Sequence, residues 1–263
     1  MFFVLNPVQK KRGFFSRLRN ILRGRPHNIT KIDMPQGFYY IIECSLCPGA
    51  RELGALRRLT QSRGGTVLAP EGMRLPPGCG LLRADSRAFR TGLLTETALH
   101  VLSRRTDIHS AALIDIEGRQ IHLAERLLQS IQAVYVVTAD MARYAALNTQ
   151  LGAELGAELI LQPHAGCTEW VNAVIAPDGT ERAGVPVCHP LIFAPDTFDA
   201  LDVSPGDCPV PRIFKPFLPA NIPADVFAAA LYEMPVGIRR ADFMPKTLSR
   251  LGRQIEIKDL IGT

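Results

Sequence analysis

One stretch of this chain concentrates charged side chains where a ligand would be expected: Asp115-Ile-Glu117-Gly118-Arg119, followed about twenty residues later by Thr138, Asp140 and Arg143. An apolar run at 111–115 precedes the turn, an amphipathic stretch follows it to 130, and a second apolar run covers 133–138. Strand, tight turn, helix and strand in that order are the opening of a nucleotide-binding α/β unit. The turn meets the N-terminus of a helix, where backbone N–H groups and the peptide dipoles attract anions. A pyrophosphate needs glycines there so that the backbone can approach it. This turn offers one, Gly118, and adds two carboxylates. Charges at ~4–6 Å from a phosphate each cost on the order of kcal/mol even at an effective dielectric near 20. Arg119 offsets part of that cost. Thr138 stands where an acidic ligand to a ribose is usual, and it is not acidic. The expectation is that NAD or NADP is not favoured here. Asp115 and Glu117 are expected to cap their own helix. Asp115, Glu117, Gly118, Arg119, Thr138, Asp140 and Arg143 remain the candidates for contacting whatever the domain binds.

A second group is made of thiols. Cys44-Ser-Leu-Cys47-Pro48 lies at a strand-to-helix turn, the setting in which a helix N-terminus lowers a thiol pKa and redox pairs operate. Cys44 and Cys47 are therefore candidate redox thiols, against the plainer reading of two small, partly buried side chains. Zinc would need two further ligands, for which His164-x-x-Cys167 and Cys188-His189 qualify by type only, so no metal is expected. Nucleophile elbows, P-loops and His-Glu-x-x-His are absent from the sequence.

The elements that must hold these residues follow from periodicity. A strand at 38–43, a helix from Pro48 to about 61 and a strand at 66–69 make a small α/β unit, closed by a Pro/Gly-rich loop and a strand at 81–83. Asp85 or Ser86 can cap a long helix over 87–104 with an apolar stripe of Phe89, Leu93, Leu94, Ala98 and Leu102. Strands at 111–115, 133–138, 157–161 and 171–176 then alternate with helices at 119–130 and 140–154, as a parallel sheet requires. Beyond Pro177-Asp-Gly179, extended pieces are expected at 191–194 and 211–214, a helix from Pro223 to 233, a last helix near 245–251 and an edge strand at 253–257. Trp170 is expected to be a packing residue.

The chain has 263 residues, a net charge of +5, 47% hydrophobic residues and 21% charged residues, ordinary values for a folded protein with ample core. The charge is unevenly placed. Residues 1–35 hold eight Lys/Arg and one acid, for +7, and the rest of the chain is −2. The basic character thus belongs to a tail, and nucleic acid is not an expected partner. Within 10–25, Phe14, Phe15, Leu18, Ile21 and Leu22 fall on one helical face, so this segment is a candidate for lying on an anionic membrane surface. No apolar run approaches the ~20 residues of a membrane span, and the N-terminus lacks the layout of a secretory signal. The six cysteines are too scattered for a disulfide scaffold. A cytoplasmic protein, peripheral at the membrane if the tail binds there, is expected.

The order of small α/β unit, long helix, nucleotide-type unit and returning helices resembles the two-domain shikimate dehydrogenase and glutamyl-tRNA reductase family, over about residues 87–235. The resemblance is strongest at Val-Tyr-Val-Val-Thr138-Ala-Asp140-Met-Ala-Arg143, which is similar to that family's second strand and the helix start after it. It implies a Rossmann-like NAD(P)-binding domain whose glycine-rich turn is degenerate here. Asp115-Ile-Glu117-Gly118 also resembles the start of haloacid-dehalogenase-type phosphatases, which use a nucleophilic carboxylate and magnesium. Glu117 and Arg119 depart from that pattern, and Gly206-Asp207 precedes Lys215-Pro216 in the wrong order.

The expected fold is α/β: a Rossmann-like parallel sheet flanked by helices, preceded by a small α/β unit. The expected division is a basic segment at 1–35, the small unit at 36–86, a linking helix at 87–107 and the Rossmann-like domain with C-terminal helices at 108–263. The leading functional reading is a small-molecule-binding or non-catalytic interaction module with an unidentified small-molecule or protein partner. The alternatives are an NAD(P)-dependent oxidoreductase with its site between the two α/β units, and a peripheral membrane adaptor anchored by its basic segment.

Overall fold

Alternating apolar runs and amphipathic helices bury a strand on both faces, and the centre of this fold is built that way. A computed structural model describes residues 1–8, 28–179, 191–195, 197, 199–205, 208–234 and 240–262. The basic amphipathic stretch at 10–25, Cys188-His189 and Gly206-Asp207 lie outside the described residues. Two units divide the chain. The first comprises Met1–Phe89 and Cys208–Phe243, the second Arg90–Asp207 and Met244–Thr263.

The second unit carries five parallel strands: β5 (Ser110–Ile114), β6 (Ala133–Val137), β7 (Ile160–Gln162), β8 (Ala173–Ile175) and β9 (Ile192–Phe193). Their spatial order is β7-β6-β5-β8-β9. Counted within the unit this is 3-2-1-4-5, the doubly wound order of a Rossmann-like sheet. Helix α3 (Ile121–Leu128) joins β5 to β6, and α4 (Met141–Leu155) joins β6 to β7. A 3-10 turn at Ala165–Glu169 stands where a helix would usually link the third strand to the fourth. Ala112, Ile114, Val137, Val174 and Ile192 make the core of the sheet. Trp170 is not part of it: the ring is 66% exposed.

The edge beyond β9 differs from expectation. Leu201 lies parallel to Phe193, and Asp202 pairs antiparallel with Ser249. Residues read as a last helix near 245–251 are instead β10 (Thr247–Arg250), which forms a hairpin with β11 (Arg253–Glu256), the expected edge strand. A short α6 (Ile257–Ile261) follows. Lys-Thr-Leu-Ser-Arg has too few apolar positions to favour either period, so backbone pairing with β11 and with Asp202 decides.

In the first unit a four-stranded sheet has the order β2 (Ile29–Met34), β3 (Gly37–Cys44), β1 (Phe2–Pro7), β4 (Thr66–Leu68). Residues 2–7 and 29–34 are thus strands, although 1–35 reads as one basic segment in the sequence. Strand β1 is central, parallel to both neighbours, with Phe2↔Tyr39 and Phe2↔Thr66 in register. Its alternating side chains serve two faces. Phe3 and Leu5 pack with Leu56 of α1 (Ala50–Gln61), while Phe2 stacks on Tyr39 at 5.1 Å and meets Phe227 edge-on at 5.7 Å. Phe227 belongs to α5 (Ala224–Tyr232), whose Pro223 start agrees with the sequence reading. This segment belongs to the first unit, not to the Rossmann-like unit that the sequence boundaries would assign it to. The extended piece expected at 211–214 is a turn. Helix α2 (Ser86–Leu102) starts where expected, with Asp85 Oδ1 accepting from Ala88 N–H at 3.0 Å. No described helix is long and apolar enough to cross a membrane.

Candidate functional site

Strand β5 ends at Ile114, and the next residue is Asp115, the start of the charged turn. Parallel pairing continues one step further, with Asp115 N–H donating to Val137 O at 2.9 Å and Ala139 N–H to Ile116 O at 3.1 Å. This fixes the turn against the end of β6. The Asp115 carboxylate is fully buried. Its Oδ1 accepts from Arg119 N–H at 2.9 Å, and its Oδ2 from Gln120 N–H at 2.7 Å and from the Tyr144 hydroxyl at 2.6 Å. The two backbone donors belong to the turn residue Arg119 and to Gln120, the residue just before α3. They lie in the turn that a pyrophosphate approaches in a dinucleotide-binding domain. Here the protein's own carboxylate takes them, and charge-assisted bonds of this kind are the stronger ones.

The end of β6 is built in the same manner. Thr138, buried at the strand end, accepts from Asp140 N–H through its hydroxyl at 3.1 Å. Asp140 caps α4, its Oδ1 accepting from Arg143 N–H at 3.2 Å. Gly118 has a φ of +67°, the left-handed region open to glycine. A Cβ added there would stand 3.1 Å from Asp140 Cβ, so the two turns pack closely. Five of the expected residues therefore meet in one cluster: Asp115, Gly118, Thr138, Asp140 and the backbone of Arg143. Glu117 and Arg119 form an ion pair on the partly exposed side of the turn. Exposed pairs contribute little to stability.

Tyr144 completes the cluster, and the sequence reading did not single it out. The signal available was its place one helical turn after the Asp140 cap, on the buried face of α4. Burial and then the hydrogen bond to Asp115 push its phenol well above the ordinary tyrosine pKa. A neutral phenol is a donor, and Tyr144 donates to Asp115 Oδ2. The buried carboxylate accepts three bonds and faces no solvent. Phosphatase chemistry would need Asp115 open to substrate and beside Glu117 at one magnesium ion. Asp115 is instead turned inward, while Glu117 pairs with Arg119.

Cys44 and Cys47 lie at the expected turn between β3 and α1. Cys44 is 2% exposed, with its sulfur 4.0 Å from the Asn6 carbonyl, and Cys47 is exposed. Cys167 is buried, and burial raises its thiol pKa. His164 is exposed. Among the described residues no group of three or more His, Cys, Asp or Glu side chains could hold a metal ion.

No protein-family model and no curated protein matches the chain. Solved structures with some likeness are dehydrogenases and reductases. L-tryptophan dehydrogenase from Nostoc punctiforme is 13% identical over 73% of this chain and 61% of its own, with a TM-score of 0.30. Quinate dehydrogenase from Corynebacterium glutamicum in complex with NAD is 11% identical over 69% and 72%, with a TM-score of 0.28. Thermococcus litoralis Delta(1)-pyrroline-2-carboxylate reductase in complex with NADH and L-proline is 14% identical over 67% and 61%, with a TM-score of 0.26. The likeness thus spans about three fifths of the length of the first and third of these proteins. The Rossmann-like character of the second unit rests on its own strand order, β7-β6-β5-β8-β9.

Proposed function

We propose that this protein is a binding module on a degenerate Rossmann-like sheet, recognising a small molecule or a protein partner without nicotinamide chemistry. One observation carries the reading: the turn that leads into α3 is already occupied by Asp115, through Arg119 N–H and Gln120 N–H. A dinucleotide would have to displace a buried, thrice-bonded carboxylate and then face its charge. Either step costs several kcal/mol, on the order of the charge-assisted bonds lost.

Calorimetric titration of the unmodified protein with NAD and NADP tests this. Neither cofactor should saturate below about 1 mM, an affinity of about −4 kcal/mol. The Asp115→Gly, Glu117→Ala double variant clears the turn and should gain dinucleotide affinity. Its folding is checked by inorganic phosphate, which should raise its Tm more than that of the unmodified protein by refilling the vacated donors. A micromolar Kd for either cofactor in the unmodified protein would overturn the reading and favour the oxidoreductase alternative.

A further inference from the structure

The second unit holds a cavity of about 360 Å³ at the sheet edge remote from β7. Two backbone-tied segments frame it. Leu201 N–H donates to Ile192 O at 2.7 Å, and Asp202 exchanges two bonds with Ser249 at 2.9 and 2.8 Å. Two guanidinium groups, Arg90 and Arg250, and three hydroxyls, Thr197, Ser204 and Ser249, line the space between them. The protein orients both arginines. Arg90 Nη1 donates to Val203 O at 3.4 Å, and Arg250 Nε to Asp199 at 3.4 Å, with the Arg250 side chain only 25% exposed. A guanidinium has five N–H donors in a planar fork, so it can keep several internal partners and still donate to an oxyanion. Asp202 also lines the cavity, and one of its oxygens accepts from Val203 N–H at 2.6 Å. The walls therefore combine two guanidinium groups, of which Arg250 is ion-paired with Asp199, one carboxylate of their own and several hydroxyls.

The rim supplies a second, independent observation. Leu251 has a φ of +52°, and among the described residues it alone, apart from glycines, adopts a positive φ. It shares the two-residue hairpin turn with Gly252, a place that favours Asn-Gly. A leucine held in the left-handed region at the mouth of a polar cavity is strain of the kind that collects at binding sites. Its side chain, 49% exposed, gives the polar cavity an apolar lip.

We propose that this cavity binds a small hydroxylated organic anion. Its carboxylate or phosphate lies on Arg90 and Arg250, and a hydroxyl of its body donates to Asp202. This rests on the binding-module reading and names the ligand class for it, at a place removed from Asp115.

The full chain is titrated with malate and with glycerol 3-phosphate, with glycerol as the uncharged control. Saturable binding below about 1 mM is expected for at least one anion and none for glycerol. The responding arm tells whether the oxyanion is a carboxylate or a phosphate. Arg90→Lys keeps the charge but loses the fork, and Arg250→Gln loses both; each should weaken binding about tenfold or more. Arg51→Gln, an exposed charge on α1, should leave it unchanged. Ser249→Ala should weaken binding about threefold with no change in Tm, and it decides the matter if Arg90→Lys fails to fold. The proposal is overturned if neither anion saturates, or if Arg51→Gln weakens binding as much as the cavity variants. Dinucleotide binding to the unmodified protein would overturn the binding-module reading alone, and failure of both anions this proposal alone.

Discussion

Asp115 shows how closely one buried side chain can tie a turn together. Its carboxylate has room for about four hydrogen bonds and makes three in this structure. Asp115→Asn keeps the shape but turns an NH2 group toward a donor, leaving buried polar atoms unsatisfied. A loss of about 2 kcal/mol in urea unfolding is expected. Tyr144→Phe should cost about 1–2 kcal/mol, and the double variant should cost less than the sum, because the two side chains share one bond. Strict additivity would show that the pair is not coupled. Tyr144 also sets a pH dependence. Its folded pKa is raised, by burial first and then by Asp115. Its contribution is therefore complete below the unfolded tyrosine pKa of about 10 and declines as pH rises above it, where only the unfolded chain ionises. Stability measured from pH 9 to 11 should fall more steeply in the unmodified protein than in Tyr144→Phe.

Among the elements, the parallel strands and the β10–β11 hairpin mark opposite ends of what a sequence reveals. The run at 111–114 is continuous and apolar, that at 133–138 is rich in β-branched residues, and an amphipathic helix lies between them. Local pattern there has a single reading. The segment at 245–252 has Pro245 at its start and Gly252 at its end, which fits a helix as well as a hairpin turn. Pairing with β11 on one side and with Asp202, 47 residues earlier, on the other selects the strand. The turn keeps a trace of that outcome as strain at Leu251. Leu251→Asn should stabilise the protein by about 0.5–1 kcal/mol in thermal unfolding without ligand, since asparagine tolerates the left-handed region. Destabilisation would mean that the leucine's packing outweighs its backbone cost.

On the scale of the whole molecule, the chain leaves the first unit at Phe89 and returns to it at Cys208. The returning α5 places Phe227 5.7 Å from Phe2 and 6.2 Å from Tyr39, ring centre to ring centre. The first unit's core is thus built from residues more than two hundred positions apart. Phe227→Ala should cost about 3–5 kcal/mol through the cavity it leaves. Hydrogen exchange should speed up at the β1 and β3 amides and stay unchanged at β5 and β6. Equal acceleration in both sheets would show that the two units do not unfold separately.

The sequence by itself determined the strand-turn-helix-strand at 111–138, the charge of its turn and the single glycine in it. These depend on neighbours within a helical turn or a strand, where period and capping are local. It left β1 unread, because Phe-Phe-Val-Leu is too short a run for periodicity to separate a buried strand from any other apolar segment. Tertiary structure alone decided that Asp115 meets Tyr144 across 29 residues, that residues 208–243 return to the first unit, and that Arg90, Ser204 and Arg250 face one cavity. Each of these is a contact between distant positions. It is fixed by which surfaces exclude water together and which buried polar groups find partners, and neither is written in the spacing of adjacent residues.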